Sequence, residues 1–420
     1  MLKVNSKEKA VLVVLDTEVS NNWDAGSLMK ELKILTVSCG ADVAGEIITK
    51  RAAPDAAYFV GKGKAQEVAV MASELAADLV IFNESLSHAQ IANLERKISC
   101  RVIDRTQLIL DIFALRAKST EGKIQVELAQ LQYLLPRLAG KHQALSRLGG
   151  GIGTRGPGEQ KLEVDRRRIQ KKILYLKKEL KKVDKRRMNR REKRKRKGIP
   201  VVALVGYTNS GKSTLLNSMT DSSQLAENRL FSTLDAKVNF LQLPNNQKIL
   251  LSDTVGFLHA LPHQLIESFK ATLEEVVEAD ILIHVLDISN QRADELKKSV
   301  YNVLGELKAL DKPIITVLNK IDMLQKDKNL ESYLKRYENS VAISALKKTN
   351  LPGLSKLIES NLSLSRTIIK KLIPHSEMRL ISTIRKQGII FKERYGLRGV
   401  YIEAEVPAIL AAKLENLASV

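Results

Sequence analysis

Hydrophobic positions in the first hundred residues form short runs rich in β-branched residues, separated by amphipathic stretches. Val11–Leu15 and Leu79–Phe82 are apolar throughout, as expected for strands buried on both faces, whereas Leu86–Ile98 has helical spacing. This alternation of strand and helix predicts a small α/β domain with parallel strands, which we assign to residues 1–115.

Two apolar stripes with helical spacing follow, one on either side of a glycine cluster. They consist of Ile124, Leu128, Leu131, Leu135 and Leu138, and of Leu162, Ile169, Ile173, Leu176, Leu180 and Val183. The cluster Gly149–Gly158 holds many glycines and a proline, so a helix cannot continue and the chain must turn. We therefore predict an antiparallel helical hairpin over residues 116–197, with the glycine cluster as its tip.

Gly198 and Pro200 close the second stripe and mark a domain boundary. A long alternation of strand-like and helical segments follows and predicts an α/β domain over residues 198–370. The β-like run Val400–Val406 and a final helical segment then indicate a small α+β module over residues 371–420.

The charge of the chain is concentrated on the second stripe. The formal net charge is +21, and residues 161–197 hold twenty lysines and arginines against five acidic residues, an excess of fifteen. Such a field attracts polyanions, so nucleic acid is the first expected partner and an anionic lipid surface the second. A solvated helix face is the alternative interpretation of a charge run. With aromatic residues at 4% of the chain, base stacking is poorly supported and the backbone of structured RNA fits better.

Several classes of protein are excluded by the composition. No apolar run approaches the ~20 residues that span a bilayer, and the first residues lack the features of a secretory signal. Cys39 and Cys100 have neither a CxxC pattern nor partners at metal-binding spacing, so we interpret both as reduced core residues. We therefore expect a cytoplasmic protein without a membrane span. Separately, we expect the protein to be a monomer.

The apolar run Val201–Val205 leads directly into Gly206–Ser213, which has the complete pattern GxxxxGK[ST]. A strand, this loop and a helix in that order form a phosphate-binding P-loop: backbone N–H groups point at phosphate oxygens and the helix N-terminus adds its dipole. Lys212 is predicted to reach the outer phosphates, and Ser213 to bind magnesium.

A second motif indicates which base is bound. Ile314–Leu318 ends in Asn319-Lys320-Ile321-Asp322, an NKxD sequence after a strand-like run. A carboxylate accepts both the ring N–H and the amino group of guanine, a donor pair that adenine lacks, so Asp322 is predicted to select guanine. Asn319 is expected to tie the base site to the P-loop, and Lys320 to lay its stem over the ring.

A third motif, Asp253-Thr254-Val255-Gly256, follows another strand-like run and has the pattern DxxG. Asp253 is predicted to hold magnesium through water, and the Gly256 N–H to sense the γ-phosphate. Upstream, Thr233 is positioned as a switch threonine that reaches the metal and the γ-phosphate.

These motifs together predict a site for GTP or GDP with Mg²⁺. The predicted nucleotide-binding residues are Gly206, Tyr207, Thr208, Asn209, Ser210, Gly211, Lys212, Ser213, Thr214, Phe231, Ser232, Thr233, Asp253, Thr254, Val255, Gly256, Asn319, Lys320, Asp322, Ser344, Ala345 and Leu346. Lys212, Thr233 and Gly256 are the predicted catalytic residues, and Ser213, Thr233 and Asp253 the predicted metal ligands. The fold class is therefore α/β: a P-loop GTPase domain with an N-terminal α/β domain, a helical hairpin linker and a small C-terminal module.

The residue after the DxxG motif is Phe257, where Ras-like enzymes carry a glutamine that orients the attacking water. Phenylalanine cannot orient a water, so hydrolysis is expected to be slow until a partner completes the site. The alternative is that Phe257 only packs and another residue does this work.

The combined motifs resemble the HflX family of translation-factor-related GTPases over nearly the whole chain. The stretches that carry the resemblance are Pro54–Lys64, Val102–Phe113, Gly149–Gln160 with its GTRGPGEQ, and Asp253–Phe257. A hydrophobic residue after DxxG is itself a feature of that family. The resemblance implies a GTPase that binds the large ribosomal subunit and its rRNA and splits stalled or idle ribosomes under stress such as heat.

The resemblance also implies ATP binding by the N-terminal domain, where Gly61-Lys62-Gly63-Lys64 precedes a helical stretch. A solvated turn, ATP contacts and rRNA phosphate contacts all stay open for this segment, as does ATP hydrolysis. The glycine tip is either an rRNA-inserting element or a connector. The alternative functions are an rRNA-binding scaffold for ribosome assembly and a peripheral membrane protein, and the apolar stripe disfavours the latter because the hairpin itself needs it.

Overall fold

The computed structural model describes residues 7–17, 23–146, 157–196, 198–220, 237–258, 270–324, 330–363, 366–407, 410–411 and 414. The chain divides into two compact units, the first with the described residues up to Val183 and the second with those from Asp184 onwards. The boundaries of the four domains expected from the sequence stay a prediction.

The first unit begins with a four-stranded parallel sheet whose strand order is β2-β1-β3-β4. Its strands are β1 (Lys9–Asp16), β2 (Asp42–Lys50), β3 (Leu79–Phe82) and β4 (Arg101–Asp104), and its helices are α1 (Ala25–Cys39), α2 (Lys62–Glu74), α3 (His88–Ile98) and α4 (Arg105–Arg116). Helix α3 begins where Ser87 and Gln90 form a capping box. Val13, Phe82 and Leu94 belong to one buried apolar cluster. The predicted α/β domain with parallel strands is confirmed.

Two long helices follow, α5 (Thr120–Ser146) and α6 (Pro157–Arg196). The two apolar stripes pack on each other as predicted, through buried Leu128, Ile173 and Leu176 and their half-buried neighbours. The second helix begins earlier than expected, because α6 already includes Pro157 and Gly158, the last two residues of the glycine cluster. Proline is favoured at a first helical position. The rest of the predicted tip lies outside the described residues.

An ion pair ties helix α5 to the end of β4. The Asp104 carboxylate, fully buried at the end of β4, accepts a hydrogen bond from the Arg137 guanidinium of α5 at 2.8 Å. The same carboxylate caps the N-terminus of α4 by accepting from the Gln107 N–H. Removing Arg137 would leave the fully buried Asp104 charge without its cation.

The second unit contains a six-stranded sheet in the order β10-β9-β8-β5-β7-β6, in which β6 alone is antiparallel to its neighbour. The strands are β5 (Val201–Val205), β6 (Lys237–Gln242), β7 (Lys248–Asp253), β8 (Ile281–Asp287), β9 (Ile314–Asn319) and β10 (Ser340–Ala342). The described helices beside it are α7 (Lys212–Thr220), α8 (Lys270–Glu278), α9 (Ala293–Glu306), α10 (Leu330–Arg336) and α11 (Leu351–Ser363). The parallel strands place all their carboxyl ends at one edge, where open α/β sheets bind ligands.

A small antiparallel sheet closes the described chain, in the order β11-β13-β12, and the predicted α+β character of this module is confirmed. Its elements are β11 (Arg366–Ile373), α12 (Met378–Gln387), β12 (Ile389–Gly396) and β13 (Gly399–Pro407). Ile381 and Ile384 of α12 pack on Val400 and Ile402 of the central strand. Within the described ranges, none of the helices is long and apolar enough to cross a membrane.

Candidate nucleotide-binding site

The loop between β5 and α7 has the backbone that a phosphate-binding loop requires. Gly206 and Gly211 have φ values of +151° and +99°, which favour glycine. A Cβ at Gly206 would lie 2.4 Å from the Val285 carbonyl oxygen, and one at Gly211 2.2 Å from Asn319 Nδ2. Helix α7 begins at Lys212, so its N-terminal N–H groups face the loop.

Lys212 lies under this loop and is buried. Its Nζ donates hydrogen bonds to the carbonyl oxygens of Gly206 at 3.0 Å and Tyr207 at 2.8 Å. Burial lowers the pKa of its ammonium to about 8, against a smaller opposite effect of the Asp253 carboxylate. The buried hydroxyls Thr208 Oγ1 and Ser210 Oγ have no hydrogen-bond partner among the described residues, and both are able to donate to an anion.

Two oxygen donors suited to magnesium meet where β7 ends beside the start of α7. Ser213 Oγ donates to Asp253 Oδ2 at 2.6 Å, and Asp253 is fully buried. A hydroxyl and a carboxylate are the hard oxygen ligands of Mg²⁺, which usually takes few protein ligands and keeps several waters. The residues therefore fit the ion. Over the described ranges no group of three or more His, Cys, Asp or Glu side chains is arranged to hold a metal.

The DxxG segment is tied to the P-loop by main-chain hydrogen bonds. The Thr208 N–H donates to the Phe257 carbonyl at 2.8 Å, and the Phe257 N–H to the Gly206 carbonyl at 3.1 Å. A Cβ at Gly256 would lie 2.9 Å from the Thr208 Cα and 3.0 Å from Lys212 Nζ. Only glycine fits this close approach.

The Phe257 side chain points into the protein, with 1% of its surface exposed. The sequence left open whether Phe257 only packs in the protein, and in the structure its side chain does pack there. Thr254 is also buried, with Oγ1 donating to the Leu204 carbonyl at 2.6 Å, and Val255 is buried beside it. The Thr254 hydroxyl therefore ties this part of the motif to β5, the strand that leads into the loop.

The NKxD motif begins at the end of β9 and meets the P-loop as predicted. Asn319 Nδ2 donates to the Ser210 carbonyl at 2.8 Å, and Asn319 Oδ1 accepts from the Ala345 N–H at 3.0 Å. Ser344 Oγ donates to Asp322 Oδ1 at 2.6 Å and so orients that carboxylate. Asn319 thus connects the P-loop with the segment Ser344–Ala345, which in turn holds Asp322.

The remaining predicted residues that the structure describes lie in or near the loop and the base site. Tyr207 bridges to Phe257 in the loop, Asn209 lies in it with a φ of +60°, and Thr214 is in the first turn of α7. Leu346 is 76% exposed beside the base site. The predicted residues Phe231, Ser232 and Thr233 lie outside the described residues.

Sequence reasoning missed one charged residue at this edge. Asp287 ends β8, and its Oδ2 lies 2.7 Å from Lys320 Nζ. Its other oxygen accepts hydrogen bonds from the N–H and the hydroxyl of Ser289. The sequence did contain a signal for this residue, namely an acidic residue at the carboxyl end of the strand before β9. Neighbouring parallel strands end at one edge of the sheet, so such a residue is expected near the motif.

In the N-terminal domain, Gly61 precedes α2 with a φ of +86°, and a Cβ there would lie 2.5 Å from the Arg51 guanidinium. Lys62 is exposed, and Lys64 forms an ion pair with Glu67 at 2.5 Å. The segment is thus the first turn of a helix. The alternatives named above for its binding role stay open.

Three family models match the chain. They describe the N-terminal region of GTP-binding GTPases over residues 27–114, the middle region of GTP-binding GTPases over 116–194, and a 50S ribosome-binding GTPase over 201–320. Among curated relatives, the GTPase HflX of Caldanaerobacter subterraneus subsp. tengcongensis is 44% identical over 410 residues, which cover 98% of this chain and 94% of that protein. The GTPase HflX of Escherichia coli is 41% identical over 396 residues, which cover 93% and 91%.

Among solved structures, a GTP-binding protein from the hyperthermophilic archaeon Sulfolobus solfataricus, in complex with GDP, is 27% identical. The similarity covers 85% of this chain and 99% of that one, with a TM-score of 0.47.

Proposed function

Because the chain belongs to the HflX family of GTPases and is a GTP-hydrolysing enzyme, we propose that it binds the large ribosomal subunit and splits stalled or idle ribosomes. GTP binding would fix the shape that binds the subunit, and hydrolysis would release it. We further propose that it acts in the cytoplasm as a monomer, under stress such as heat. The family model described as a 50S ribosome-binding GTPase supports the choice of partner.

The observation that supports this proposal most strongly is the surface of α6. Eleven basic side chains along its described part are exposed: Arg166, Arg167, Arg168, Lys171, Lys172, Lys177, Lys178, Lys181, Lys182, Lys185 and Arg186. Acidic neighbours pair with few of them, at Arg167, Arg168, Lys172 and Lys182. A row of basic side chains with so few acidic partners would bind phosphates by releasing counterions, so its affinity would fall steeply as salt rises.

For nucleotide recognition, we propose that the Asp322 carboxylate accepts from the two guanine donors while Ser344 holds it in place. Asn319 links this pocket to the P-loop, whose N–H groups and Lys212 bind the phosphates. Lys320 covers one face of the base.

Ser213, Asp253 and Thr233 would hold the magnesium ion, which neutralises phosphate charge when it is bound. Lys212 would stabilise the charge that develops on the outer phosphates, and the Gly256 N–H would donate to the γ-phosphate. No covalent intermediate is needed, because phosphoryl transfer rests on positioning and electrostatics. A surface of the ribosome would orient the attacking water in place of a glutamine.

We also propose that the N-terminal domain binds ATP. Its support is the positive φ of Gly61 and the exposed Lys62 at the start of α2.

The decisive experiment measures GTP hydrolysis with and without purified large subunits, and in parallel the sedimentation of whole ribosomes. We expect strong stimulation of turnover and conversion of whole ribosomes to subunits with GTP. Stimulation without splitting would favour the assembly scaffold, and equal turnover in both conditions would contradict the proposal.

The role of the basic helix is tested with a variant that carries Lys178→Ala and Lys181→Ala. Each lost phosphate contact lowers the slope of log affinity against log salt by about one, so ribosome binding should weaken and become less salt-dependent. The matched control replaces Lys298 and Lys308, two exposed lysines in or next to α9, with Ala. Equal effects of both pairs would show that overall charge, and not this helix, determines binding.

A further inference from the structure

We infer that Asp287 is a positioning residue for base recognition, which acts by holding the Lys320 side chain in place. The inference rests on the proposed role of the NKxD motif at guanine. Asp287 ends β8 and Asn319 ends β9, and the two are register partners in the parallel sheet. The acidic residue is therefore fixed beside the first residue of the motif.

The contact between Asp287 and Lys320 differs from an ordinary surface ion pair. Lys320 Nζ lies 2.7 Å from Asp287 Oδ2, and the two side chains are only 23% and 16% exposed. Asp287 Oδ1 accepts from the Ser289 N–H at 3.0 Å and from its hydroxyl at 2.5 Å. Because one carboxylate oxygen is held by the turn after β8, the other presents a fixed acceptor to the ammonium.

The backbone at Lys320 also requires support. Its φ of +66° and ψ of +36° lie in the left-handed region, which is unfavourable for a residue with a side chain. Such conformations persist where the surroundings determine them, and they cluster at ligand-binding sites. The Met323 N–H donates to the Lys320 carbonyl, and the ion pair with Asp287 holds the other end of the residue.

The two carboxylates at this edge thus have separate roles. Asp322, oriented by Ser344, would accept hydrogen bonds from the edge of the base. Asp287 fixes the ammonium of Lys320, so that the lysine stem is already ordered where the face of the base would lie. A lysine loses much rotamer freedom when it is ordered, and a preformed contact removes that cost from binding.

This inference predicts how Asp287→Asn changes the enzyme. The amide keeps an acceptor for Ser289 but loses the ion pair, so the Kd for GDP and the Kd for GTP should both rise about tenfold. KM for GTP should rise with them, while kcat should fall far less, because the reacting phosphate is distant from the base. The control Asp311→Asn changes an exposed carboxylate just before β9. It should alter neither the two Kd values nor KM.

A double-mutant cycle separates this role from a purely structural one. Lys320→Met keeps an apolar stem without the ammonium, so Asp287→Asn should have little further effect on the Kd for GDP in that background. Additive losses, about a hundredfold in the double variant, would overturn the inference, as would an unchanged Kd in Asp287→Asn.

If Asp287→Asn does not fold, as judged by thermal unfolding, Ser289→Ala replaces it in the same cycle. This change loosens the carboxylate and should raise the Kd by about threefold; an unchanged Kd would overturn the inference. Asp322→Asn is measured alongside. If it binds GDP as tightly as the wild type, the proposed base site itself fails, whereas a failure confined to Asp287 leaves that site intact.

Discussion

The burial of Phe257 leads to a prediction opposite to the one that Ras-like enzymes suggest. If this position only lacked the catalytic glutamine, Phe257→Gln would accelerate intrinsic GTP hydrolysis. The Phe257 side chain is 1% exposed, and its main-chain N–H and carbonyl both bond to the P-loop. A glutamine built on this backbone would therefore enter the protein interior and not the phosphate site.

The size of the effect follows from that burial. Removing a buried phenylalanine side chain costs about 3–5 kcal/mol, and a buried amide without a partner adds about 1–3 kcal/mol. In a domain of this size each kcal/mol lowers Tm by roughly 2–4 °C, so Phe257→Gln should lower Tm by roughly 8–32 °C. Intrinsic kcat should not rise, because the shifted main chain would also misplace the Gly256 N–H.

The assay compares intrinsic GTP turnover and thermal unfolding of three variants. Phe257→Leu keeps most of the apolar volume and should lose less stability. Phe240→Gln changes a phenylalanine of β6 that is 65% exposed, and should leave Tm nearly unchanged. A tenfold rise in intrinsic kcat for Phe257→Gln, with Tm preserved, would refute this reasoning.

Three further predictions concern other parts of the chain. Burial raises the pKa of Glu84 in the folded protein from 4.5 to about 7, so the fold loses stability as the pH rises from about 4.5 to about 7 and keeps that loss above it. The free energy of unfolding of Glu84→Gln should therefore exceed that of the wild type by up to about 3 kcal/mol at pH 8, and by almost nothing near pH 4.5. Urea unfolding followed by the fluorescence of the single tryptophan, Trp23, measures this difference. Gly211→Ala forces a side chain into a left-handed backbone against the NKxD asparagine and should abolish GDP retention on a desalting column. Leu176→Ala removes a buried side chain of the hairpin and should lower the free energy of unfolding by about 2–4 kcal/mol. Leu174 is 68% exposed, so Leu174→Ala should lower it little. Thermal unfolding followed by circular dichroism measures both.

The sequence allowed the elements and motifs of the nucleotide site to be predicted because their signals are local. A strand, a glycine loop and a helix are neighbours in the chain, so GxxxxGK[ST] carries its own structural context. The apolar stripes of the hairpin likewise repeat at short spacing, and Leu128 meets Ile173 and Leu176 as their periodicity indicates.

Features that depend on strand order were not readable in this way. The order β2-β1-β3-β4 of the first sheet has no local signal, although its parallel strands were predictable. Asp287 belongs to no motif in the sequence. It comes close to the NKxD motif only because β8 lies beside β9 in the sheet. Phe257 is a single residue after the DxxG motif, so no hydrophobic periodicity indicates which way its side chain points. The sequence therefore allowed two interpretations of this residue.

Strand register explains why the separate motifs act as one site. Val205, Asp253, Asp287 and Asn319 end four strands of one sheet, and parallel hydrogen bonding fixes their relative heights at its carboxyl edge. A slip of one residue between β8 and β9 would turn Asp287 to the opposite face from its present partner and separate it from Lys320. The apolar contacts of Ile283, Val285, Ile315 and Val317, buried in one cluster, oppose that slip. The packing of the sheet interior therefore determines the geometry of the proposed guanine site, although none of these side chains would touch the nucleotide.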